Sequence, residues 1–195
     1  MKLTLIYPPV ISAVSNMDVL TPPMGVAYLA SYMIREGVDV QVIDGQGEDP
    51  NGVSIFHKNI TIRGLSFDGI LERVDPNASL IGISNLFTVG YPVVRELSKR
   101  LKAKYPNIPI VLGGNHPTNM PEKSLADSKA DYVILGEGEK ALARLCKFLE
   151  KKDSLEEIDG IAYFEGEKFI RRSAKRILNL NEDSIPFPAR HLLPL

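Results

Sequence analysis

The sequence predicts an α/β protein built on a parallel sheet covered by helices on both faces. Three observations carry the prediction. Short apolar runs alternate with amphipathic stretches of helical length. Glycine and proline punctuate the junctions. The 195 residues, 44% hydrophobic and 24% charged, suffice to bury the core that such a sheet needs.

The first strand is Leu3 to Tyr7, halted by Pro8-Pro9. A loop of small residues, Val10 to Leu20, leads to Thr21, placed to cap a helix whose first turn holds Pro22 and Pro23. Val26, Leu29, Ala30, Met33 and Ile34 form the buried stripe of that helix, and Gly37 closes it in the left-handed position. Val38 to Ile43 reads as the second strand. Between 45 and 79 the pattern weakens: Gly45 to Gly52 is a polar loop, and Val53, Ile55, Ile60 and Ile62 flank a His57-Lys58-Asn59 turn as a small hairpin. A short helix from Asp68 to Val74 follows.

Leu80 to Ser84 is the third strand. Thr88 is placed to cap a helix with Tyr91, Val94, Leu97 and Leu101 on one face, running to Tyr105-Pro106. Ile108 to Leu112 makes the fourth strand, and a short helix near Glu122 to Asp127 leads to the fifth, Tyr132 to Leu135. The helix after it carries Ala141, Leu142, Leu145, Cys146 and Leu149 on its apolar stripe. Beyond Lys152 the character changes. A hairpin of Gly160 to Phe164 and Lys168 to Ile170 turns at Glu165-Gly166-Glu167, and Pro186 to Arg190 reads as an extended linker with little to bury. The expected division is a domain over 1–152 and a hairpin with linker over 153–195.

Composition excludes several classes of function. Lysine and arginine total 23 against 24 acids, a net charge of −1, so no electrostatic footprint for nucleic acid or a membrane surface exists. Lys99 to Lys104 and Arg171 to Arg176 concentrate cations, but both read as solvated faces. The single cysteine, Cys146, excludes an internal disulfide and any all-cysteine metal or iron–sulfur site within these residues. The amino-terminal run is too short for a signal peptide, and no apolar run approaches the ~20 residues needed to span a bilayer. The expectation is a reduced, soluble, cytoplasmic protein.

In an open parallel sheet, ligands bind outside the carboxyl ends of the strands. The unusual residues gather there: Pro22-Pro23-Met24-Gly25, Ser84-Asn85-Leu86-Phe87-Thr88, Gly113-Gly114-Asn115-His116-Pro117-Thr118 and Gly136-Glu137-Gly138-Glu139. Taken singly, each has a plain structural reading as a turn, a helix start or a local hydrogen-bond donor. Their coincidence on one edge points to a broad ligand lying against backbone, because glycine permits close approach. His116 lacks the companions of a zinc site, which leaves polar contact to a cofactor. His57 reads as solvated and His191 as a linker residue. The phosphate-loop, dinucleotide and nucleophile-elbow motifs are absent, and no catalytic residue or metal ligand is assigned.

The ordered set of these motifs resembles the amino-terminal cobalamin-binding domain of cobalamin-dependent radical S-adenosylmethionine enzymes. It begins with Pro22-Pro23-Met24-Gly25-Val26-Ala27-Tyr28-Leu29-Ala30 and continues through the 113–118 and 136–139 loops. Asp159-Gly160-Ile161-Ala162-Tyr163 and Ile185-Pro186-Phe187-Pro188-Ala189-Arg190 are similar to the segments that precede the radical barrel in that family. The resemblance covers nearly the whole chain and is weakest over 45–79.

It implies a flavodoxin-like, Rossmann-like sheet of five parallel strands, order 2-1-3-4-5, holding cobalamin above its carboxyl edge. The nucleotide tail would enter beside the first helix, near Ser84 and Gly113-Gly114, while Leu86 to Thr88, Asn115 to Thr118 and Gly136 to Glu139 would line the corrin ring. The D-x-H-x-x-G motif that supplies a lower-axial histidine elsewhere is replaced by Tyr7-Pro8-Pro9-Val10, so no ligand to cobalt is expected from that loop. The C-x-x-x-C-x-x-C triad is absent too. The four-iron four-sulfur cluster and S-adenosylmethionine would then belong to a radical barrel partner, in cis downstream or in trans, and the tail at His191 to Leu195 favours an excised domain.

The implied role is to position the corrinoid for methyl transfer or a related radical reaction in that barrel. The alternatives are a cobalamin-free platform for a substrate or partner, and a flavodoxin or receiver domain. The last two conflict with Tyr7-Pro8-Pro9 after the first strand and with Ser84 at the third. A tryptophan at Gly114 is expected to block the ligand and spare the fold.

Overall fold

The computed structural model describes residues 1–12, 21–174 and 185–194. Most of the expected Val10–Leu20 loop, half of the Arg171–Arg176 cluster and the final residue lie outside them. Five parallel strands form the centre: β1 (Lys2–Tyr7), β3 (Asp39–Asp44), β6 (Leu80–Ser84), β7 (Ile110–Gly113) and β8 (Tyr132–Ile134). Their order, β3-β1-β6-β7-β8, is the 2-1-3-4-5 arrangement, with connections diverging between β1 and β6. The antiparallel pair β9 (Ile161–Glu165) and β10 (Lys168–Arg171) continues the same sheet beyond β8, with Val133 opposite Ala162.

Alternation along the strands divides the interior in two. Leu3, Leu5, Leu80, Val111 and Ile134 face α1 (Met24–Arg35) and α6 (Glu139–Leu149). Ile6, Ile81, Ile83, Ile110 and Leu112 face α2 (Phe67–Arg73), α3 (Tyr91–Lys104) and α5 (Pro121–Ser128). A second sheet, β2 (Val10–Ile11), β5 (Ile60–Arg63) and β4 (Val53–His57), turns Ile62 into the core. It leaves Val53 and Ile55 exposed.

Both expected helix caps are corrected. Helix α1 begins after Pro23, with no side-chain cap, so Thr21, Pro22 and Pro23 precede it instead of opening its first turn. Gly90 precedes α3, and residues 88–90 form a single tight turn of their own. Ser66 does cap α2, accepting from the Gly69 amide at 3.1 Å. The α1 stripe also differs: Ile34 is exposed, while Ala27, Ser31 and Tyr32 are buried.

The tail bonds to Ala27 and Ser31. Residues 186–193 form a strap across α1, in which the Ala189 amide donates to the Ala27 carbonyl at 3.0 Å and the Ser31 hydroxyl donates to the Pro186 carbonyl at 3.4 Å. Within Pro186–Arg190 Ala189 alone is buried and Phe187 is 93% exposed, in keeping with a stretch that has little to bury, yet it docks on α1; Leu193 beyond it is buried. A helix stripe reports which side chains are covered, and an outward stripe covered by a distant segment looks the same in sequence as a solvated one.

Candidate functional site

Among the described residues, three helices cover one face of the sheet and two cover the other, and on the two-helix face a cleft remains. Helices α1 and α6 meet toward their carboxyl ends, where Lys147 pairs with Glu36 at 3.3 Å. Toward their amino ends they border a cleft of ≈ 260 Å³ at the carboxyl edge of the sheet. Leu5, Gly82 and Val111, paired side by side on β1, β6 and β7, form its floor. A side chain at Gly82 would start 2.9 Å from the Leu5 methyl, so glycine there is a condition of the floor's shape. Val26 and Leu29 from α1, Ile134 from β8 and Leu142 from α6 make the walls. The cleft therefore lies beside the divergence of connections between β1 and β6, where α/β folds place ligands.

Of the residues expected at a site, Gly25, Ser84, Leu86, Gly113, Gly114 and the whole Gly136-Glu137-Gly138-Glu139 turn border this cleft. Gly25 and Gly113 face open space, with nothing within 4 Å of where a Cβ would stand. Gly114 differs. Its φ is +109° and its ψ −177°, a region reserved for glycine, and a Cβ would stand 2.5 Å from the Asn85 carbonyl oxygen. A tryptophan there would therefore break the fold, which corrects the expectation that it would be spared.

The remaining expected residues form the frame around the cleft. Asn85 is 2% exposed; its amide donates to the Gly113 carbonyl at 2.7 Å, and its carbonyl accepts from the His116 amide at 3.3 Å. The Thr118 hydroxyl donates to the Gly114 carbonyl at 2.8 Å and accepts from the Gly136 amide at 3.0 Å, tying two turns together. Asn115 opens the short helix α4 (Asn115–Asn119), and its carbonyl accepts from the Asn119 side chain at 2.7 Å. Pro117 is buried in α4. Pro22 is exposed, Pro23 buried and Met24 half-buried just before or at the start of α1, while Phe87 is 65% exposed on the rim.

His116 points inward. It is 4% exposed, its Nδ1 lies 3.1 Å from the Thr88 hydroxyl, and its ring stacks on Tyr91 with centroids 4.2 Å apart. Burial, aided by the Lys123 cation, lowers the imidazole pKa and holds the ring neutral, while burial beside Asp127 pushes the Tyr91 phenol up to about 12. The Thr88 hydroxyl thus meets a histidine instead of capping a helix. Among the described residues no histidine borders the cleft, and no group of three or more His, Cys, Asp or Glu gathers as a metal site would.

The aliphatic floor and walls were missed in sequence. Leu5, Val111, Ile134 and Leu142 read as ordinary core, because periodicity marks a position as inward and is silent on whether a helix or a cavity lies above it. Gly82, a glycine inside a β-branched run, was the available signal. The cleft suits an apolar, flat group reaching down from a more polar body at the rim. Glu139 Oε2 is buried there without a partner, ready to accept from a donor on such a body.

A B12 binding domain family matches residues 11–146. An uncharacterized methyltransferase of Pyrococcus horikoshii is 35% identical over 199 residues, covering 100% of this chain and 39% of that protein. Cytidylyl-2-hydroxyethylphosphonate methyltransferase of Streptomyces wedmorensis is 30% identical over 146 residues, 73% of this chain and 27% of its own. The chain thus spans less than half the length of these relatives.

Among solved structures, the cobalamin-dependent S-adenosylmethionine radical enzyme OxsB, with aqua-cobalamin and S-adenosylmethionine bound, superimposes with TM-score 0.77 at 20% identity. The match covers 96% of this chain and 24% of OxsB. The radical S-adenosylmethionine methyltransferase TsrM of Kitasatospora setae follows at TM-score 0.65 and 16% identity, over 94% of this chain and 31% of its own. These likenesses establish a shared fold.

Proposed function

The chain belongs to the B12 binding domain family, and from that premise we propose that it seats cobalamin with the nucleotide tail in the cleft between α1 and α6 and the corrin ring over its mouth. One observation carries the reading. The cleft is an aliphatic slot open at the carboxyl edge, and its open positions, Gly25 and Gly113, leave room that any side chain would fill. Ser84 and the Gly113-Gly114 turn lie at the entrance to receive the tail. Leu86 to Thr88, Asn115 to Thr118 and Gly136 to Glu139 form the rim under the ring, held in register by the Thr88–His116 and Thr118–Gly136 hydrogen bonds.

When bound, the corrinoid supplies a cobalt centre able to carry a methyl group. The chain's own residues bind, orient and shield it. Tyr7-Pro8-Pro9-Val10 offers no imidazole, and His116 stacks on Tyr91 outside the cleft lining, so neither would serve as a ligand to the cofactor's metal. The partner is a radical S-adenosylmethionine barrel, attached or separate, which holds the iron–sulfur cluster that one cysteine could not. The joint reaction is methyl transfer or a related radical step, as the names of the relatives suggest. Helices long and apolar enough to cross a membrane are absent among the described residues.

Reconstitution with hydroxocobalamin followed by gel filtration tests the reading. Corrinoid absorbance that elutes with the protein supports it. Protein eluting free of corrinoid supports the cobalamin-free platform instead.

A further inference from the structure

We propose that the depth of the cleft selects among corrinoids by the base of the nucleotide tail, taking alkylated benzimidazoles and disfavouring purines. The inference rests on the tail occupying the cleft and concerns what the cleft recognises in it.

Every side chain on the floor and walls is aliphatic or glycine: Leu5, Gly82 and Val111 below, Val26, Leu29 and Leu142 at the sides. Backbone groups on the floor are committed as well, since β1, β6 and β7 pair with one another through this stretch. The main chain of α1 and α6 is closed by intrahelical bonds beyond the first turn. A flat base seated on the floor therefore meets carbon, while the free amides in the first turns of α1 and α6 stand with the polar side chains toward the entrance.

The polar side chains of the cleft, Ser84, Glu137 and Glu139, follow the carboxyl ends of β6 and β8, at the entrance. The unpartnered Glu139 Oε2 stands there, able to accept from a sugar hydroxyl. The lining thus matches a nucleoside with a polar sugar and an apolar base. Dimethylbenzimidazole presents ring carbon and methyl groups to the slot. Adenine brings an exocyclic amine and ring nitrogens that lose their water and gain nothing in return. The asymmetry arises from unmet hydrogen bonds, so it persists even where both bases fit by size.

The test is equilibrium binding of three aquated corrinoids to the protein, followed by absorbance or calorimetry: cobalamin, its adenine-containing counterpart, and cobinamide, which lacks the nucleotide. Cobalamin is expected to bind roughly 10- to 100-fold more tightly than the adenine form, with cobinamide also weaker than cobalamin. Val111→Thr, which places a hydroxyl on the floor, is expected to narrow the gap between the two bases. Equal affinity for cobalamin and the adenine form overturns the selectivity and leaves corrinoid binding standing. Cobinamide binding as tightly as cobalamin overturns it also, since the tail would then contribute nothing. Failure of all three to bind removes the proposed function itself.

Discussion

Adjacent glycines of one turn should respond in opposite ways to a side chain, and the pair Gly113→Trp and Gly114→Ala isolates the cleft from the fold. At Gly113 nothing stands within 4 Å of where a Cβ would be and the residue lines the cleft, so an indole attached there is placed to compete with a ligand for that space. A tryptophan covers about 150–250 Å² when buried. At about 25 cal/mol per Å² the ligand surface it replaces is worth about 4–6 kcal/mol, a loss of roughly a thousandfold or more in affinity. The same indole covers aliphatic surface, so the urea midpoint should hold or rise.

At Gly114 a single methyl meets the Asn85 carbonyl oxygen at 2.5 Å with the backbone at φ +109°. The backbone region alone costs about 1–3 kcal/mol, and the collision adds to it. The expected result is a fall in stability of about 2–4 kcal/mol, read from urea unfolding. Hydroxocobalamin titration supplies the second axis. A Gly113→Trp protein that binds corrinoid as tightly as the parent would refute the placement of ligand in the cleft. An unshifted midpoint in Gly114→Ala would refute the packing argument.

Two further outcomes follow from buried groups. The His116 pKa is depressed in the folded protein, so the unfolded chain binds the extra proton first as the pH drops. Stability from this ring is full above about 6.5 and is lost as pH falls from there through the lower folded value. His116→Phe keeps a ring against Tyr91 and removes the titration, so its urea midpoint should fall less steeply on the acid side than the parent's; identical slopes would contradict the burial account. Cys146 is buried on α6, and its thiol is pushed up to about 12, chiefly by burial. Thiolate is therefore scarce, and a disulfide reagent should label the native protein far more slowly than the unfolded one. Equal rates would show the α6 face to be open.

The central sheet was legible because each strand is a short apolar run closed by a turn residue. The third, Leu80 to Ser84, has the same bounds in sequence and structure. The continuation of the sheet by β9 and β10 was less so, since a hairpin's pattern carries no information about which edge receives it. At the site, polar and glycine-rich turns advertised themselves, and they do converge on one rim. Their individual tasks were hidden. Thr88 was read as a cap, yet its hydroxyl meets a ring 28 positions away, a partner that local spacing cannot reveal. Gly113 and Gly114 looked equivalent, and only the backbone angle separates one that frees space from one that permits a turn.

Because α1 carries the cleft on one flank and the strap on the other, it has no slack. Outward drift of the helix to admit a thicker guest would strip the Ala189–Ala27 bond. The strap thus adds a contact on the outer flank of α1 that any widening of the slot by that helix would have to give up.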